Sequence, residues 1–139
     1  GLGDVYKRQI INFIEKDNFF EIQKVITRVS KLANNSDLSR DVLSTRDYVN
    51  TKLFEKDCEL KVFEFIGELE KLFSEGYCNY LELLNLFEIN VNTIEDLFDN
   101  EKGVLIMSED LKIRNNRLNL LSLIRNYSLK IADFTLLNS

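Results

Sequence analysis

Apolar residues recur along this 139-residue chain at steps of three and four, the period of one face of an α-helix. After Asn18, the residues Phe19, Ile22, Val25, Ile26, Val29 and Leu32 form one stripe, which predicts a helix ending near Ala33 ahead of Asn34-Asn35. Ile10, Ile11, Phe13 and Ile14 make a short apolar piece before it. Ser36 or Asp37 is placed to cap a second helix with the stripe Leu38, Val42, Thr45, Val49 and Leu53. Lys56-Asp57 reads as a break or as a surface turn of a continuing helix. The most regular stripe follows, in Cys58, Val62, Phe65, Ile66, Leu69, Leu72 and Phe73, and Gly76 stands just past its end as a C-terminal cap. Two short helices are expected over 80–88 and 93–99, facing inward with Leu81, Leu84 and Phe87, then Ile94, Leu97 and Phe98. Val104-Leu105-Ile106-Met107 leaves two readings. One is a small hairpin near 104–114; the other has Ser108 capping a helix that runs on. From Asn116, the residues Leu120, Leu123, Ile124, Tyr127, Ile131 and Phe134 predict a final helix.

Three boundaries share the pattern Asn-x-x-Glu: Asn18 with Glu21, Asn79 with Glu82, and Asn92 with Glu95. There an Asn side chain accepts from a first-turn amide and the Glu reaches back to the cap. Composition supports the helical reading. Proline is absent and there are only 5 glycines, so little interrupts a helix. Amphipathic stripes must bury one another, so the expected fold is all-α: a single-domain helical bundle or orthogonal array of about five to six helices over residues 10–139. Residues 1–9 are set apart. Asp4-Val5-Tyr6-Lys7-Arg8-Gln9 resembles a translated sequencing-library adaptor, GAT GTG TAT AAG AGA CAG, which implies a non-native segment on a metagenomic reading frame.

Charge and chemistry narrow the function classes. The net charge is −5 and the pI about 4.9, so nucleic acid is not the default partner. The stretch from Glu55 to Glu101 is acidic, while Lys112, Arg114, Arg117, Arg125 and Lys130 make the last stretch mildly basic. With Tyr127, these residues are a candidate interaction surface for an acidic partner or an RNA backbone; the plainer reading is a solvated helix face. Histidine is absent, which excludes Ser-His-Asp and Cys-His sites and His-ligated zinc. Arg40 and Arg46 likewise lack the histidine that helical ribonucleases pair with arginine. Glu64 and Glu68 lie one turn apart, as an acid–base or cation pair would, but without the histidine of di-iron bundles. Asp96, Asp99 and Glu101 do not have calcium-loop spacing, and no glycine-rich phosphate loop occurs. No catalytic, metal-binding or cofactor-binding residue is therefore expected. Cys58 and Cys78, separated along a helix, read as reduced thiols of a cytoplasmic protein. No apolar run is long enough to span a membrane.

The segment Val62-Phe63-Glu64-Phe65 through Gly76, with Leu81, Leu84 and Phe87, resembles an uncharacterised family of bacterial helical domains. That resemblance implies a helical fold and no assigned activity. The expected function is a non-enzymatic helical interaction module acting on a protein partner or a second copy of itself. The alternatives are a small phage- or defence-associated subunit or inhibitor that binds RNA, a nucleotide or a defence protein, and an enzyme working with carboxylates alone.

Overall fold

A computed structural model describes Arg8 and residues 17–75 and 80–131. The described elements are α1 (Asp17–Ala33), a 3₁₀ turn (Thr51–Leu53), α2 (Asp57–Ser74), α3 (Tyr80–Ile89), α4 (Val91–Asp96) and α5 (Leu111–Leu129). No strand is present among the described residues, so the fold is all-α.

The predicted stripes are buried as expected. Ile22, Ile26 and Val29 of α1, Val62, Phe65, Ile66 and Leu69 of α2, Leu84 and Phe87 of α3, and Ile94 of α4 join one core with Leu120, Leu121, Leu123 and Ile124 of α5. Phe65 and Phe87 meet edge to face, with ring centroids 5.3 Å apart. Helix α5 is the axle of the fold. It pairs most extensively with α1 and also touches α2 and the 3₁₀ turn. From Asn116 to Ser128 all but Asn119 are buried.

Three expectations change and one open alternative is decided. First, the second predicted helix does not form: 34–56 is an extended strap broken only by turns and the 3₁₀ turn. Its own side chains compete with helical bonding. Ser36 Oγ accepts from the Leu38 amide at 3.1 Å, Ser39 Oγ from Asp41 at 3.3 Å, Ser44 Oγ from Arg46 at 3.2 Å and Asn50 Oδ1 from Lys52 at 3.0 Å. Leu38, Val42, Leu43 and Val49 still pack on the core, half-buried. Second, 104–110 forms neither the hairpin nor a Ser108-capped helix. It is an irregular loop, and Asp110 caps α5 by accepting from the Lys112 and Ile113 amides at 3.0 and 3.3 Å. Third, α4 starts at Val91 after Asn90, so Asn92 lies inside the helix and is not its cap. Fourth, Lys56-Asp57 is a true break. Glu59, at the third position of α2, accepts from the Lys56 amide at 3.2 Å and from the Glu55 amide at 2.8 Å. Gly76, Cys78, Asn79, Phe134 and residues 1–7 lie outside the described residues.

Candidate functional site

The six residues of the expected basic surface do not share a face. Lys112 and Lys130 are exposed and Arg114 is half-buried, while Arg117, Arg125 and Tyr127 are buried. Arg125 and Tyr127 belong to a polar seam along α5 that receives the backbone of the strap. Asn116 exchanges two bonds with Asn50, accepting from its amide at 2.7 Å and donating to its carbonyl at 3.0 Å. Asn119 Nδ2 donates to the Tyr48 carbonyl at 2.7 Å. Asn126 Nδ2 donates to the carbonyls of Ser39 at 2.9 Å and Val42 at 2.7 Å. Tyr127 OH donates to the Leu43 carbonyl at 2.5 Å. Arg125 Nη1 and Nη2 reach the carbonyls of Ala33 and Leu38 at 3.3 and 3.4 Å. Burial and the nearby Arg40 lower the Arg125 pKa, and burial raises that of the Tyr127 phenol. A strap without helical bonding would leave its carbonyls unsatisfied, and these side chains complete the accounting.

Arg117 makes a second cluster. Its Nη1 donates to the Leu105 carbonyl at 2.7 Å, Nη2 to Glu55 at 2.6 Å and Nε to the buried Glu59 at 3.5 Å. Among the described residues every buried side-chain nitrogen and oxygen has a partner. These groups are spent on structure.

The groups with spare capacity lie beside the seam, where the strap meets the first turns of α5. A groove of about 550 Å³ opens there, lined by Tyr48, Asn50, Lys52, Lys112 and Asn115, among others. Asp47 adopts a φ of 68°, in the left-handed region that Asp tolerates, and the ring of Tyr48, next along, is 42% exposed. The Asp47 carboxylate also lines the groove; the open aromatic, side-chain amides and two ammonium groups beside it are the parts that handle bases and phosphates. A wider groove of about 730 Å³ sets Lys56, Lys61 and Lys102 against Glu55, Asp57 and Asp96, so its charges balance. Glu64 and Glu68 are both exposed, and no metal-ligating group of three or more side chains exists among the described residues. Asp99 accepts from the Glu101 and Lys102 amides at 3.0 and 2.8 Å, and chiefly the Lys102 bond holds its carboxyl below the usual value. Burial, with Glu59 beside it, raises the Cys58 thiol, a free and buried cysteine. No described helix is long and apolar enough to cross a membrane.

Comparison with known proteins adds what this geometry lacks. The chain is similar to part of the glycine–tRNA ligase beta subunit. It is 34% identical over 116 residues to that of Gloeothece citriformis, covering 82% of this chain and 16% of the relative. It is 32% identical over 137 residues to that of Trichodesmium erythraeum, covering 96% and 19%. It is 35% identical over 118 residues to that of a Picosynechococcus species, covering 82% and 16%. The chain thus spans less than a fifth of the length of these relatives. No family model matches it. These similarities overturn the expectation of a non-enzymatic module of unknown role, because the relatives are subunits of an enzyme. The relatives also carry a name, unlike the uncharacterised helical family that residues 62–87 suggested. The sequence reading missed Tyr48, Asn50, Lys52 and Asn115, which are scattered until the strap folds onto α5; of this groove it singled out only Lys112.

Proposed function

We propose that this chain is a helical part of a glycine–tRNA ligase beta subunit and that it contacts tRNA through the groove around Tyr48. The observation that carries this reading is the 32–35% identity to those subunits over most of the chain. The groove chemistry agrees with it. Tyr48 offers a face for an unstacked base, Asn115 offers an amide for a base edge, and Lys52 and Lys112 offer cations for the backbone. The negative net charge argued against nucleic acid as a default partner, but a local patch of cations and amides decides contact, and the acidic residues lie largely between 55 and 101. A protein named as a beta subunit has a companion subunit, and that companion is the proposed protein partner. Tyr127, Arg117 and Arg125 then act indirectly, by holding the strap that carries Tyr48 and Lys52. A cytoplasmic location goes with this reading.

The test uses transcribed glycine tRNA and the 139-residue chain in a salt series. Lys52→Glu with Lys112→Glu should weaken binding about tenfold and flatten the log–log salt slope by roughly 1.4–1.8, as expected for two lost phosphate contacts. Tyr48→Ala should weaken it by a further ~1–3 kcal/mol if one base stacks there. In a chimera of the Trichodesmium ligase carrying this segment, the lysine reversals should raise KM for tRNA with kcat little changed. Unaltered affinity and KM in folded variants would refute the assignment.

A further inference from the structure

Away from the Tyr48 groove, α2 and α3 present two matched stripes. Glu68 and Leu72 of α2 and its C-cap Glu75 follow at i, i+4 and i+7, and Glu82, Leu86 and Ile89 do the same on α3. Together they line a groove of about 400 Å³, with Lys71 and Asn85 beside them. Leu72 and Leu86 are half-buried, and Ile89 is 76% exposed. The groove is thus apolar along its floor, with three carboxylates and one ammonium at its edges. We propose that it seats a cationic amphipathic helix from a partner polypeptide.

Each stripe spans eight residues, about 10 Å of helix axis, so the occupant is a segment of two to three turns. Its apolar residues at i, i+4 and i+7 lie between Leu72, Leu86 and Ile89, and Lys or Arg on the α2 flank face Glu68 and Glu75. A second copy of this chain fits poorly. The net charge of −5 opposes self-association, and although Lys24, Arg28 and Lys31 are exposed on α1, the apolar residues of that helix, Ile22, Val25, Ile26 and Val29, are already buried in the core. RNA is repelled by the same carboxylates. This inference does not rest on the tRNA reading, and either can fail alone.

The probe is a labelled, roughly 14-residue Leu/Lys amphipathic helical peptide, followed by fluorescence anisotropy on the full chain at physiological salt. Binding should fall at least about tenfold with Glu68→Lys/Glu75→Lys, and likewise with Ile89→Asp. The control pair Asp41→Lys/Glu109→Lys makes the same charge change on exposed loop residues elsewhere and should change binding less than about twofold. Three results would overturn the proposal: equal loss in the control pair, equal binding of a Leu/Glu peptide, or no effect of Ile89→Asp in a chain with unchanged circular dichroism. Concentration-dependent dimerisation abolished by Ile89→Asp would assign the groove to a second copy instead, and would also overturn it.

Discussion

Replacing Arg117 with methionine tests the account of the α5 clusters most directly. The Arg117 side chain is 5% exposed and Glu59 is fully buried, while Glu55 is 59% exposed. The bridge to Glu55 is therefore near the surface and contributes at most about 1 kcal/mol. The Glu59 contact differs in kind. Removing the guanidinium strands a buried carboxylate, which typically costs ~3–5 kcal/mol. Here Glu59 keeps the Glu55 and Lys56 amides as donors, so the expected loss for Arg117→Met is near the lower end, about 3 kcal/mol. A chain of this size holds roughly 5–15 kcal/mol, so the variant should still fold. Adding Glu59→Gln removes the stranded charge but keeps an acceptor for the two amides. The double variant should recover about 1–2 kcal/mol over Arg117→Met alone. Urea unfolding with an unchanged slope reads both quantities. A loss below about 1 kcal/mol would refute the reasoning. So would a double variant no more stable than the single one.

Two further outcomes follow from buried groups. Burial, and secondarily Glu70, pushes the Tyr127 phenol above its ordinary value of 10.0. Above that pH the unfolded chain loses the proton and the folded chain keeps it, so stability should fall with rising pH, by up to ~1.4 kcal/mol per pH unit. Tyr127→Phe should remove this alkaline loss while costing about 1 kcal/mol at neutral pH for the bond to Leu43; coincident pH profiles of urea midpoints would disprove it. At Gly103, an added Cβ would stand 2.5 Å from the Leu97 carbonyl oxygen and nearer still to that of Asp99. Gly103→Ala should therefore lower stability by ~1–3 kcal/mol in thermal unfolding, through displaced backbone. A variant within about 0.5 kcal/mol of the parent would show that the turn adjusts freely.

The sequence disclosed elements that bury a stripe and concealed those that are bound by polar side chains. Residues 19–33 and 58–73 read correctly because apolar spacing is the cause of their burial. The strap carries a helical stripe too, and there spacing misled: four Ser and Asn side chains cap local turns, and α5 receives the carbonyls. Arg117 and Arg125 read as surface because isolated charges usually stay in water, while Tyr127 reads both in the apolar stripe of the last helix and on the basic surface, and its burial agrees with the stripe. The signal that could have corrected this is Asn115, Asn116, Asn119 and Asn126, interleaved with leucine on all sides of one helix. Such a helix has no conventional outer face, and its amides need backbone partners that only the fold supplies. The link to a ligase subunit was invisible for another reason: none of the motifs sought in the sequence carries it.

The way the strap is held also sets an order of events. Asn126 meets Ser39 and Val42 across 87 and 84 positions of chain. On a ribosome adding about 5–20 residues per second, Ser39 and Val42 would therefore wait some 4–17 s for Asn126 to be made. Until then that part of the strap is bare backbone between nascent helices, exposed to proteases and chaperones. Among the described helices, α5 is thus the one that secures the strap.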